Sequence, residues 1–241
     1  MPRGYSLLPH DIWSFPNIFP LIFQASAVFM WMACAQLRLA TFFQETLHDS
    51  AIMAAVKLLP MGITALFVGG LTQAVPQLIM RPRYVQPVAS ALCLAGSLLF
   101  AFSDGGPGDK YWRFLFPGQV IGTAGAMIVF VGMKYVHPFQ PRRPEAKQTI
   151  HASTSIIQAF PLEFAGVGGS FANIIFQIGG VIGIAVQDGL VGTGPDAATS
   201  WTGSKNSYFF TGGYIMATGL VFVVWYRQKL MPKLEGPVAA V

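Results

Sequence analysis

Six stretches of about twenty apolar residues, at 15–43, 51–75, 84–102, 113–135, 160–188 and 208–226, constrain this chain more than anything else in it. About twenty apolar residues is the length a helix needs to cross the hydrocarbon of a bilayer. None of the stretches alternates with period two, and Ala, Leu, Met and Gly dominate them, so strands have no support. In lipid the backbone must satisfy its own hydrogen bonds, which leaves the helix. The reading is all-α: an integral membrane six-helix bundle over 15–226, with an N-terminal segment at 1–14 and a tail at 227–241.

Composition excludes the main competitors. Of 241 residues 53% are hydrophobic and 10% charged, against about 25% charged in a soluble domain. So little charge cannot coat a globule of this size, which excludes a soluble enzyme, and disorder requires the opposite balance. The 26 glycines and 17 prolines suit membrane helices, whose neighbours re-satisfy an interrupted backbone.

The basic residues divide unevenly between the two sides that six crossings create. Arg3, Arg81, Arg83, Lys134, Arg142, Arg143, Lys147, Arg227, Lys229 and Lys233 fall on one side, Lys110, Arg113 and Lys205 on the other, and Arg38 and Lys57 within or at the ends of spans. The positive-inside rule then expects both termini in the cytoplasm. The net charge of +5 is therefore read as a topology signal and not as a nucleic-acid footprint. The opposite connectors carry Glu45, Asp49, Asp104, Asp109 and Asp196 among turn formers and read as solvated, the last covering 192–207.

Enzyme chemistry is not expected. The chain has no HExxH, no CxxC and no phosphate-cradling GxGxxG after a strand, and His10, His48, His137 and His151 fall outside the spans. Cys34 and Cys93 lie in apolar stretches and read as small packing residues. No catalytic residue, metal site or cofactor is expected.

Polar residues within spans are the informative ones, since each is costly in hydrocarbon without a partner or a watery cavity. Gly166, Gly169, Asn173, Gln177 and Gly180 follow spacings of three and four and so share one helical face. That face reads either as a small-residue seam with two interhelical amides or as the wall of a cavity. Arg38 shares a seven-residue stripe with Gln24 and Trp31; it either snorkels to the interface or turns inward to an anion, and Lys57 poses the same choice. Glu163 and Asp188 read as surface residues at the ends of the fifth span. Gly118-xxx-Gly122 and Gly179-xxx-Gly183 match the pattern that lets helix backbones approach closely.

Several fragments, in order, resemble the second half of the drug:proton antiporters of the major facilitator superfamily, in the fourteen-helix branch abundant in fungi. Gln44, Ser50, Ala54, Leu59 and Pro60 hold the places of that family's short loop and following span, with Ala51 and Ala55 where the family has Pro and Gly. Tyr111-Trp112, Phe116-Pro117-Gly118 and Gly122 resemble the start of its antepenultimate span. Pro161 through Gly169, Gln177-Ile178-Gly179-Gly180 and Gly183-Ile184-Ala185 resemble its penultimate one.

The resemblance implies one half of a proton-coupled exporter of small organic solutes, in the plasma membrane or alternatively the vacuolar membrane. Its partners would be lipid, solute, protons and an N-terminal half or a second copy. Asn173, Gln177 and Arg38 are the expected solute contacts. The rival reading is a truncated, non-transporting membrane protein or interaction subunit. Residues 134–153 interrupt what the family runs almost directly together, and read either as a cytoplasmic insertion or as a retained intron; a shorter transcript distinguishes the two.

Overall fold

The computed structural model describes residues 18–75, 77, 81–133, 165–192 and 201–225, and side chains from 19 and, in the fifth helix, from 169. These form α1 (Ile18–Thr41), α2 (Ala51–Ala74), α3 (Pro82–Ala101), α4 (Phe116–Gly132), α5 (Ala165–Val191) and α6 (Trp201–Trp225). Local signals set several ends. Ser50 caps α2 by accepting from the Met53 amide at 3.3 Å, and proline opens α3 and α4, where a missing N–H costs nothing. Five-residue π-helical turns extend α1 through Phe42–Thr46 and lead into α4 through Tyr111–Leu115.

Among the described residues six helices are long and apolar enough to cross a membrane, and there is no strand. The distribution of polarity differs from that of a soluble protein, in that large apolar side chains cover the outside as well as filling the core, and polar ones are buried. Ile52, Leu66, Phe67, Val181 and Val224 are exposed, while Gln24, Gln86, Ser90, Ser97, Gln119, Thr123, Ser204 and Ser207 are buried. Polar side chains inside and large apolar ones outside is the arrangement lipid selects.

Residue pairs fix how the helices run. Along α1 and α5, Gly179 meets Ser26, Gly183 meets Met30 and Gln187 meets the Cys34 carbonyl, each pair one turn beyond the last, so the two helices are parallel. Gly118, Gly122 and Gly125 of α4 meet Phe100, Gly96 and Cys93 of α3 in descending order, which is antiparallel. Gly212 against Ser97 and Gly219 against Ser90 make α6 antiparallel to α3. All of these directions agree with a chain that crosses the bilayer alternately.

The principal neighbours are α3 with α4 and α6, α1 with α5 and α6, and α2 with α4. Exchanging α1, α2 and α3 for α4, α5 and α6 turns α1–α5 into α4–α2 and α3–α4 into α6–α1, and leaves α3–α6 unchanged. These pairings repeat between the units α1–α3 and α4–α6, which start their crossings in opposite directions because each has an odd number of them, while the packing of α5 on α6 has no comparable counterpart between α2 and α3.

One boundary differs from expectation by most of two turns. Residues 192–207 read as a solvated loop, yet α6 begins at Trp201, and Trp201, Ser204 and Ser207 are buried. The polarity of Thr202, Ser204, Lys205 and Asn206 hides a helix whose buried face is recognisable only through its partners. Lys205 consequently belongs to a helix, with its ammonium 5.0 Å from the Phe102 ring.

Candidate functional site

The seven-residue stripe of α1 forms an internal polar spine. Gln24 Nε2 donates to Ser90 Oγ at 2.9 Å, Trp31 Nε1 to Ser97 Oγ at 2.8 Å, and Arg38 Nε to Ser204 Oγ at 2.6 Å. Two turns separate successive stripe residues, and Ser90 and Ser97 keep the same interval on α3, so one register serves both bonds. Ser97 passes the bond on to the Cys93 carbonyl at 3.0 Å. Gly219 and Gly212 lie against the two serines, where a Cβ would approach their side chains to 2.6 and 2.8 Å. The spine thus requires small residues on α6.

Arg38 does not snorkel. It is only 9% exposed, with its guanidinium 6.0 Å from the Phe42 ring. Lys57 is half-buried, paired with Asp49 and 5.1 Å from the Phe43 ring. Its own carbonyl accepts from Tyr111 Oη at 2.8 Å and Gln119 Nε2 at 3.0 Å, one turn before Pro60 interrupts the ladder of α2. That pair of bonds ties α2 to α4.

On α5 the expected stripe divides. Asn173 and Gln177 are exposed, while Ala172, Ile175, Phe176, Gly179, Gly183 and Gln187 are buried. The seam against α1 therefore runs through Gly179 and Gly183, with Phe176 stacked on Phe29 at 4.3 Å. Gly180 meets only the Ala33 Cβ at 3.7 Å, an ordinary contact, and Gly169 is half-buried. The surroundings of Gly166, and Glu163 altogether, lie outside the described residues, as does the segment 134–153; Asp188 is exposed at the far end of α5. The face differs from expectation because glycines at 179, 180 and 183 suit two adjacent faces, and contact with Ser26 selects the one lacking the amides.

Asn173 and Gln177 line a shallow groove with Ile174, Ile178, Val181 and Ile182. Every lining residue belongs to α5, so anything that closes the groove comes from outside it. Gln177 lies three residues from the centre of the apolar window Gly169–Val191, about 4.5 Å along the axis. Arg38 is not part of this groove: it is enclosed between α1 and α6. Sequence reasoning thus joins three residues that the fold separates, and it misses Ser90, Ser97, Trp201, Ser204 and Tyr208, whose only signals are spacings of three, four and seven.

Gly118 and Gly122 lie where α4 meets α3. A Cβ at Gly118 would fall 2.9 Å from the Phe100 ring, and one at Gly122 2.4 Å from the ring of Trp31. Cys34 and Cys93 are buried and free, and among the described residues no three His, Cys, Asp or Glu side chains gather to hold a metal. Compared with protein-family models, with curated proteins and with solved structures, the chain found no match.

Proposed function

We propose that this chain is one half of a secondary transporter of the major facilitator type, acting on small organic solutes. The observation that carries the reading is the exchange relation between α1–α3 and α4–α6. Two inverted three-helix units within one six-helix half is the construction on which that fold's alternating access rests. The relation pairs α2 with α5, and these are the least covered helices: 17% and 22% of their apolar windows are buried, against 44% or more for the others. A second half, or a second copy, would lie across them.

Solute would then bind near the midplane between the halves, against Asn173 and Gln177. The described acids of the spans and their ends, Glu45, Asp49 and Asp188, lie away from the middle of the helices, so a proton carrier would belong to the partner. The basic asymmetry of the connectors supports cytoplasmic termini, and the family resemblance favours the plasma membrane or, alternatively, the vacuolar one. A drug or toxic organic compound exported against protons is the solute class that the family resemblance favours.

The test is reconstitution of the full chain in liposomes with Asn173→Cys. Pairing requires a crosslink at that position, between copies or to a co-expressed second half, and no proton-driven solute uptake by the isolated monomer. A stable monomer with no crosslink, or one that transports alone, would overturn the reading. Labelling of Arg142→Cys by an impermeant reagent from outside would overturn the orientation.

A further inference from the structure

Remote from the α5 groove, one cluster carries a charge that no ion pair compensates among the described residues. Arg38 Nη2, Trp201 Nε1 and Tyr208 Oη are buried without a hydrogen-bond partner, in residues 9%, 9% and 2% exposed. Trp201, Ser204 and Tyr208 follow spacings of three and four and share one face of α6. The rings of Trp201 and Tyr208 are 5.8 Å apart, and Phe42, 6.0 Å from the guanidinium, meets Trp201 edge-on at 4.5 Å. Ser204, which accepts from Arg38 Nε at 2.6 Å, stands one turn before Tyr208 on that same face. The turn after α3 covers the cluster: Gly105, at a φ of +81°, lies so close to Phe42 that a Cβ would fall 2.0 Å from its ring.

Among the described residues no carboxylate lies within salt-bridge distance of Arg38; Asp49 is engaged by Lys57 and Asp104 by Lys110. The first turn of α6 also begins at Trp201, adding the positive end of a helix dipole to the positive side chain. A buried guanidinium left unpaired is strongly unfavourable. A water molecule would accept from two of the donors and leave the charge standing. One negative charge with acceptor atoms completes both the bonding and the charge.

We propose that Arg38, Trp201 and Tyr208 hold a small monovalent anion, either a halide or the carboxylate of a small organic acid. The proposal does not depend on the transporter reading, since it concerns groups enclosed between α1 and α6 and not the α5 groove.

Thermal unfolding of the purified full chain, titrated in low-salt zwitterionic buffer with sodium chloride and separately with sodium acetate, tests it. The expected result is a rise of about 3–5 °C for each tenfold increase of the bound anion beyond its Kd. Tyr208→Phe, Trp201→Phe and Arg38→Gln should each lose most of that rise. A response to chloride alone identifies a halide site, one to acetate alone a carboxylate site, and one to both a site for either. Tyr208→Phe keeps the ring, so it remains readable if Arg38→Gln does not fold. Were the hydroxyl merely an orphan, Tyr208→Phe would be at least as stable as the parent at every salt concentration. That outcome, or a salt response equal in the parent and all three variants, overturns the proposal.

Discussion

α2 and α3 are similar in length and both have a proline inside, yet the one glycine of α3 and two of the three in α2, Gly69 against Met127 being the third, stand in opposite surroundings. In α3, a Cβ at Gly96 would come within 2.5 Å of the Gly122 Cα and 2.9 Å of the Gly118 carbonyl oxygen, so this glycine allows two backbones to touch. In α2, Gly62 and Gly70 have nothing within 4 Å of where a Cβ would stand. Their polar residues divide too. Gln86, Ser90 and Ser97 of α3 are buried in bonds to other helices, whereas the buried Thr72 of α2 donates to the Val68 and Gly69 carbonyls of its own helix, and Ile52, Leu66 and Phe67 face outward. Glycine frequency in a membrane helix therefore carries little information; what the position would meet carries nearly all of it.

The sharpest break of that comparison is Gly96→Ala against Gly62→Ala. At Gly96 the obstacles are backbone atoms, which no rotamer change can remove, so α3 and α4 must separate and the seam along Gly118, Gly122 and Gly125 loosens with them. The expected cost is about 3 kcal/mol, at the upper end for overpacking a close contact. Gly62→Ala should instead raise stability by about 0.5–1 kcal/mol through helix propensity. Unfolding in mixed micelles measures both, and equal effects would show that the seam is not what holds these helices.

The spans are legible in the sequence because each is a long apolar run, and four of their twelve boundaries fall within one residue of the helix ends found. The start of α6 is not legible. Trp201 to Ser207 is polar by composition and helical by partnership, and a hydropathy reading has no access to partners. The stripe of Gln24, Trp31 and Arg38 is visible from its spacing alone, but its acceptors are not, since Ser90, Ser97 and Ser204 become meaningful only once the register of α3 and α6 against α1 is known. On α5 the sequence offers two adjacent faces with similar small residues, and only the Ser26 contact separates them.

That ambiguity on α5 supplies a second break, within one helix. A Cβ at Gly179 would stand 2.2 Å from the Ser26 carbonyl oxygen, and one at Gly180 only 3.7 Å from the Ala33 Cβ. Gly179→Ala should cost about 2 kcal/mol by parting α1 and α5, and Gly180→Ala close to nothing. Gly183→Ala should fall between them, since its nearest obstacles, Met30 Cγ at 2.5 Å and Cys34 Sγ at 2.9 Å, are side-chain atoms that can shift. The same unfolding assay ranks the three, and a cost at 180 matching that at 179 would reassign the buried face.

The smallest expected effect concerns what the buried polar residues of α3 contribute. Trp31 donates to Ser97, and Ser97 donates onward to the Cys93 carbonyl. The two single substitutions are therefore unequal. Ser97→Ala leaves the Trp31 N–H buried without an acceptor, a cost of about 0.6–1 kcal/mol for a bond between membrane helices. Trp31→Phe leaves the serine still bonded to its own helix, and its cost is mainly lost ring volume beside Gly122, where the ring is in close contact. In the double variant the orphaned N–H disappears while the lost volume remains, so the two costs should not add. The shortfall, about 0.6–1 kcal/mol, is the coupling of the interhelical bond. Strict additivity would mean that the bond contributes nothing beyond packing, and that α3 differs from α2 only in its glycines.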